Sequence, residues 1–337
     1  MNKIVLSIIS VLIIFASCSD NKEITISENE ILTKVDTGVI AKITQEIKQT
    51  PNDAVLFKDR AVIYFAFHDI DNAIKDLETA IKLDSVNTDY LNLIADYWII
   101  KGNSKPTKKY LDKSIAINPE NTGTLIRLAK LYLYIEKHQE AFNYINEAIK
   151  INSGLAIPYF VKGLIYDDMA DTLRAIKQYQ TAIERNPDFY EVYILLGLKH
   201  AQLNDSLAIY YYKNAIRINP QSVEAHYNLA MFFQENAYYN RAISEYDYIL
   251  NNIDSLNYQA IYNKGYMYLE FSKNYDKALS LFIKAYKINP NSPNGIYNLG
   301  LVYEKTGNKE KANEYYNNVL RIFPSYQLAI DGLKRLK

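Results

Sequence analysis

The chain has 337 residues, with 38 lysines and arginines balanced by 38 aspartates and glutamates, and a single cysteine. Balanced charge argues against a nucleic-acid binder, which carries a basic excess on one face, and a lone cysteine excludes an internal disulfide. The length would hold two globular domains, but a repeated unit uses most of it.

The amino terminus is the first element. Met1-Asn2-Lys3 supplies a positive end and Ile4 to Phe15 is almost wholly apolar. Such a run is too short to cross a ~30 Å hydrocarbon layer comfortably and fits the apolar core of a signal peptide. Phe15-Ala16-Ser17-Cys18 places small residues before the only cysteine, which resembles a bacterial lipobox. The resemblance implies a signal peptide over 1–17 and lipidation of Cys18 as the mature amino terminus. Ser19 after the cysteine implies sorting to the outer membrane, facing the periplasm. Ser19-Asp20-Asn21-Lys22-Glu23 partly resembles a surface-export tag, which keeps the cell surface as an alternative. Residues 18–35 read as a flexible tether reaching about 20–25 Å. Val39, Ile40, Ile43 and Ile47 then share a helix face, predicting a capping helix over 36–50 with Asp36 or Thr37 as its N-cap.

From residue 54 to 324 the chain repeats itself. Pro51, Ser85, Pro119, Ser153, Pro187, Pro220, Ser255, Pro290 and Pro324 occupy one slot, mostly 34 residues apart, with one step of 33 (220−187) and two of 35 (255−220, 290−255). A second slot holds Ala61, Ala95, Ala129, Gly163, Gly197, Ala230, Gly265 and Gly300, all tiny. A mid-helix glycine costs about 0.5–1 kcal/mol relative to alanine, so close approach of a second helix is expected there. The slot of Ala312 (Ala73, Thr107, Ala141, Ala175, Ala208, Ala242, Ala278) is the expected facing small residue. Bulk sits at complementary slots: Leu77, Leu111, Ile145, Tyr179, Tyr212, Tyr246, Phe282 and Tyr316 share one of them. Small against large lets paired helices interdigitate without voids. Pro158 and Pro293 fall at the start of first helices and Pro106 at the start of a second, where a missing N–H costs little.

This pattern resembles the tetratricopeptide repeat family. The resemblance implies an all-α, right-handed solenoid of about eight helix-turn-helix repeats over 54–324, closed by the amino-terminal helix and by a carboxy-terminal capping helix over 325–337. Leu328, Ala329 and Leu333 should line the inner face of that last helix. Arg60, Lys162 and Lys264 depart from the family's usual leucine, and the 33- and 35-residue copies imply a turn deletion or an insertion.

No catalytic constellation stands out. His68, His138, His200 and His226 are scattered, and there is no nucleophile elbow, phosphate-binding glycine loop or cysteine pair for zinc. No enzyme activity, cofactor, metal or small-molecule substrate is therefore expected. The family resemblance implies instead that first helices form a concave groove. Its positions carry Tyr227-Asn228, Tyr262-Asn263 and Tyr297-Asn298, each step 35 residues. A row of asparagine amides can donate to and accept from a peptide backbone, and tyrosines add apolar area with a polar tip, so binding of weak salt dependence is expected. The same side chains could instead bridge neighbouring repeats. The expected function is a non-enzymatic adaptor that binds a protein or peptide and is lipid-anchored at the outer membrane. The alternatives are a dedicated subunit of a pilus or β-barrel assembly or secretion machine, or a regulator in trans of an envelope hydrolase.

Overall fold

The computed structural model describes residues 32–337. The signal segment, Cys18 and the tether up to residue 31 lie outside the described residues. Among those described there are 18 α-helices and no strand. The first helix, α1 (Leu32–Gln49), begins inside the stretch read as tether, ahead of the Asp36 or Thr37 cap expected from sequence. Leu32 and Val35 continue the three-to-four spacing of Val39 and Ile43, so the helical pattern has no break at Asp36. On α1 Ile47 is buried and Val39 is exposed.

Helices then follow in antiparallel pairs, and the chain divides into two compact units, before and after the Asn186–Pro187 bond. The first unit holds α1 and four hairpins: α2 (Ala54–Ala66) with α3 (Ile70–Leu83), α4 (Thr88–Ile100) with α5 (Ser104–Ile117), α6 (Thr122–Tyr134) with α7 (His138–Ile151), and α8 (Ala156–Asp168) with α9 (Thr172–Arg185). The second holds α10 (Tyr190–Gln202) with α11 (Leu207–Ile218), α12 (Val223–Glu235) with α13 (Tyr239–Tyr248), α14 (Tyr258–Glu270) with α15 (Tyr275–Ile288), α16 (Pro293–Lys305) with α17 (Lys309–Ile322), and a last helix α18 (Gln327–Leu336). Within each unit every hairpin packs on the next, the arrangement of a helical solenoid. Most first helices start on side-chain caps: Asn121 accepts from the Thr124 amide, Ser222 from Ala225 and Ser292 from Gly295.

Each hairpin turns through one left-handed residue. His68, Gly102, Glu136, Ala170, Asn204, Ala237, Lys273 and Gly307 all have φ between 51° and 80°. Only two of the eight are glycines, the residue that enters this region without steric cost. The turn closes with the Asn103 amide on the Trp98 carbonyl at 3.0 Å and the Gly102 amide on Ile99 at 2.8 Å. These bonds satisfy carbonyls that the helix end would otherwise orphan.

The irregular steps of the repeat have distinct physical origins. In the 220→255 step the extra residue sits inside the second helix, where α13 continues as a π-helical turn over Ile249–Ile253, with the Asp254 amide on the Ile249 carbonyl at 2.8 Å. A π turn absorbs one residue without disturbing the flanking α-helical faces. The second 35-residue step lengthens the hairpin turn instead, between Glu270 and Tyr275, and the 33-residue step shortens α11 at its start.

The small slot behaves as its spacing predicts, with one refinement. The Thr107 hydroxyl lies 3.5 Å from the Ala95 carbonyl, so the Ala312-type slot does face the backbone of the tiny slot. What decides between glycine and alanine is the large slot. A Cβ on Gly163 would stand 2.4 Å from the Tyr179 ring, on Gly197 2.4 Å from Tyr212, and on Gly300 2.7 Å from Tyr316. Where the facing side chain is Leu77, Leu111 or Ile145, the tiny slot holds alanine. Tyr246 faces Ala230 and is the exception; it stands in the helix that ends in the π turn.

A second correlation follows from the hydroxyl. Tyr179 donates to Asp167 at 2.7 Å, Tyr246 to Gln234 at 3.0 Å and Tyr316 to Glu304 at 2.5 Å. All three acceptors stand four residues after the tiny slot. Where the large slot carries no hydroxyl, that position is apolar: Phe65, Ile99, Leu133 and Leu269. A buried phenol needs a partner, so the two slots must change together. For Tyr212 the position is Ala201.

Candidate interaction site on the first-helix face of the second unit

The polar residues that replace the family's leucine are accounted for by partners on neighbouring helices. Arg60 donates from Nε and Nη2 to both Asp76 oxygens at 2.7 and 2.8 Å, and from Nη1 to the Thr44 hydroxyl at 3.0 Å. Lys162 reaches Asn146 at 2.8 Å, and Lys264 pairs with Asp247. Two polar side chains of α4, Asn92 and Asp96, are likewise internal to the stack. Asp96 is buried and held by the Arg127 guanidinium at 2.9 Å, while Asn92 accepts from Thr124 at 3.0 Å. Ile157, Phe160 and Leu164 on α8 include one buried ring, Phe160.

Three of the four histidines are structural neighbours of carboxylates: His138 meets Asp168, His200 meets Asp205 and His226 meets Glu245, at 2.7–2.8 Å, while His68 is a hairpin-turn residue. They lie on separate hairpins. Among the described residues no group of three or more histidine, cysteine, aspartate or glutamate side chains is placed to hold a metal ion. No described helix is long and apolar enough to cross a membrane.

The tyrosine–asparagine ladder is present and regular. Asn263 donates from Nδ2 to the Tyr227 hydroxyl at 3.0 Å, and Asn298 donates to the Tyr262 hydroxyl at 2.9 Å. Each tyrosine also lays its ring on the large slot of its own hairpin: Tyr227 on Tyr246, Tyr262 on Phe282 and Tyr297 on Tyr316, with centroids 5.5–6.1 Å apart. Asn228 is half-buried, whereas Asn298 and Tyr297 are buried. The ladder therefore stitches α12 to α14 and α14 to α16. Asn263 and Asn298 each commit an amide N–H to the tyrosine of the previous repeat, so these two members of the expected row bridge neighbouring repeats.

What remains open is the end of the ladder. The position after Tyr297 in the next element is Leu333, not asparagine, so no further rung forms. A cavity of ≈ 310 Å³ opens there, between α14, α16 and α18. Tyr262 and Tyr266 come from α14, Tyr297 and Asn298 from α16, and Tyr326 and Leu328 from the start of α18. The Tyr326 hydroxyl donates to Asn294 at 2.6 Å, and its ring lies 5.8 Å from that of Tyr297. Glu270, Asn294 and Leu301 complete the lining. Burial pushes the Tyr262 phenol up to about 12. Burial, and then the Glu270 carboxylate, raises Tyr266 above the ordinary tyrosine value.

Leu328 departs from its expected place. It was read as part of the inner face of the last helix, but it is 52% exposed and lines the cavity. The inner face is made by Ala329 and Gly332, with Leu333 partly buried against the same cluster as expected. A Cβ on Gly332 would come within 2.5 Å of the Tyr316 ring, whose opposite edge lies against Gly300. The ring is held between two glycines, one from α16 and one from α18. Arg335 then clamps Glu304, Nε to Oε1 at 2.8 Å and Nη2 to Oε2 at 2.9 Å. That fixes the wall of the cavity which α18 supplies.

Tetratricopeptide-repeat family models match residues 123–154, 157–189 and 293–326, and a TPR repeat model matches 271–307. The chain is a tetratricopeptide-repeat protein. Its repeats are 24% identical over 251 residues to the TPR repeat-containing protein MJ1428 of Methanocaldococcus jannaschii, across 67% of this chain and 44% of that one. They are 22% identical over 245 residues to the BBSome complex member BBS4 of Bos taurus, across 72% and 47%. The chain thus spans less than half the length of these relatives. Among solved structures, the C-terminal part of a TPR repeat-containing protein from Cytophaga hutchinsonii superposes with a TM-score of 0.63 at 20% identity, over 72% of this chain and 99% of that one. That likeness concerns the fold.

Proposed function

We propose that this tetratricopeptide-repeat protein is a non-enzymatic adaptor, tethered to the outer membrane through a lipid on Cys18, that holds a peptide segment of a partner protein. The observation that carries the reading is the cavity at the end of the tyrosine–asparagine ladder, lined by Tyr262, Tyr297 and Asn298. A site that is concave, lined by aromatic and aliphatic side chains and edged by a few polar groups is how folded proteins accept a side chain or short segment. Protein binding is what the repeat scaffold is suited to, and BBS4, one of its relatives, is named as a complex member.

Crosslinking and pulldown from detergent-solubilised membranes, comparing wild type with Leu328→Trp, tests the reading. Leu328 is exposed, so the bulky side chain fills the cavity without disturbing the core. The partner is expected to be lost while circular dichroism stays unchanged. Undiminished capture by the folded variant would place the interaction elsewhere. Copurification in fixed ratio with an outer-membrane protein would make the chain a dedicated subunit of that assembly. The anchor is tested separately. Cys18→Ser should move the protein from the membrane fraction to soluble or unprocessed material, and a mature amino terminus other than Cys18 would end the lipoprotein reading.

A further inference from the structure

Asn263 and Asn298 each spend an amide donor on a neighbouring tyrosine, and the cavity at the end of the ladder offers a different chemistry for recognition. Four tyrosines contribute to its walls, Tyr262 and Tyr266 from α14, Tyr297 from α16 and Tyr326 from the α18 entry. One carboxylate, Glu270, joins them, and the lining contains no lysine or arginine. One nearby cation is engaged elsewhere, Arg335, which is clamped on Glu304. Lys273, in the hairpin turn after α14, pairs with Glu270 itself at 3.8 Å while its own side chain stays exposed, a contact that an incoming cation would replace.

Tyrosine ring faces carry the negative part of the aromatic quadrupole, and a cation set among several of them gains from each. A carboxylate at the edge adds a directional, charge-assisted contact. The volume of ≈ 310 Å³ is at the small end of ligand sites and suits one long side chain rather than a folded element. From this geometry we infer that the cavity receives a lysine or arginine side chain of the partner peptide, its charge held among the tyrosine rings and turned toward Glu270. The inference deepens the adaptor reading and rests on it. It also reverses the salt dependence expected of a neutral asparagine row: binding should weaken as ionic strength rises, because Glu270 lies at the surface end of the site.

The probe is a library of random peptides displayed on phage and selected against the full-length protein in detergent. Selected peptides should share a lysine or arginine at one position. In calorimetry with one such peptide, Glu270→Gln and Tyr266→Leu should each weaken binding about tenfold, whereas Tyr266→Phe keeps the ring and should bind as wild type. Circular dichroism and thermal melts verify that each variant is folded. Selected peptides that Leu328→Trp blocks but that carry no shared basic residue would overturn the inference and leave the adaptor groove standing. So would wild-type affinity in folded Glu270→Gln together with Tyr266→Leu. Recovery of no peptide, or of peptides indifferent to Leu328→Trp, would overturn the groove itself and the inference with it.

Discussion

Gly197 and Tyr212 show how little freedom a single repeat position has. A Cβ at Gly197 would stand 2.4 Å from the Tyr212 ring, whereas one at Gly265 would stand 3.1 Å from Phe282. Helix propensity alone favours alanine over glycine by about 0.5–1 kcal/mol, but overpacking costs about 1–3 kcal/mol. Gly197→Ala should therefore lower the melting temperature, and Gly265→Ala should do so less. Adding Tyr212→Leu should restore much of the loss, because it recreates the alanine–leucine pairing of Ala61 with Leu77. A Gly197→Ala protein that melts like wild type would show that the ring has room to move. Arg60 and Asp76 make the corresponding polar case. Their side chains are only 15% and 9% exposed, so Asp76→Ala strands a guanidinium and should cost about 3 kcal/mol or more. Arg60→Leu with Asp76→Leu returns the family's apolar choice and should lose about 1 kcal/mol or less by urea titration. Equal losses in the single and double variants would contradict a mutual pair.

At the scale of elements, the carboxy-terminal cap is the most conditional part of the second unit. It rests on Ala329 and Gly332 packed at Tyr316 and on the Arg335–Glu304 clamp. Burial pushes the Glu304 carboxyl up, but hydrogen bonds from Arg335 and Tyr316 outweigh it and hold the group below the ordinary 4.5. A depressed folded value means the clamp stabilises fully above about pH 4.5 and is lost as pH falls through the lower folded value. Amide exchange in α18 should accelerate below that pH, beyond the intrinsic pH effect, before the rest of the unit opens. Arg335→Ala should give fast exchange already at neutral pH. A cap whose protection ignores both would be held by packing alone. Because Tyr326 and Leu328 wall the cavity, opening of α18 should also abolish the proposed peptide binding.

Over the whole molecule, tyrosine dominates the acid–base behaviour. The chain holds 31 tyrosines, and Tyr179, Tyr212, Tyr246 and Tyr316 are fully buried large-slot residues. Burial raises each of these phenols above its ordinary value, with Asp167 adding to Tyr179 and Glu304 to Tyr316. A raised folded value means their contribution is intact below pH 10 and is lost as pH climbs toward the folded values. Each such phenol then removes about 1.4 kcal/mol per pH unit. Phenolate absorbance should thus rise in two stages. Exposed tyrosines ionise first, and the buried set follows in one cooperative step coinciding with loss of helix. A single smooth titration with helix content unchanged would contradict the burial of these rings.

The sequence by itself determined the repeat, the pairing of helices and the small and large slots, since these follow from spacing along one chain. A slot of prolines and serines, mostly 34 residues apart, marks the turns, and the exchange of glycine for alanine opposite tyrosine or leucine is legible residue by residue. Even the acceptors Asp167, Gln234 and Glu304 can be found this way, four residues after the tiny slot. Only the tertiary structure decided what the ladder does. Asn263 and Asn298 sit at positions suited to a ligand, but whether an amide meets a peptide or the tyrosine of the previous repeat depends on how adjacent hairpins are offset. That offset is a property of packed surfaces, and no single hairpin contains it. The cavity arises for the same reason: Tyr297 has no following asparagine, and α18 sets Tyr326 and Leu328 opposite it. Periodicity describes what every repeat shares, while the cavity forms where α18 departs from the repeated pattern.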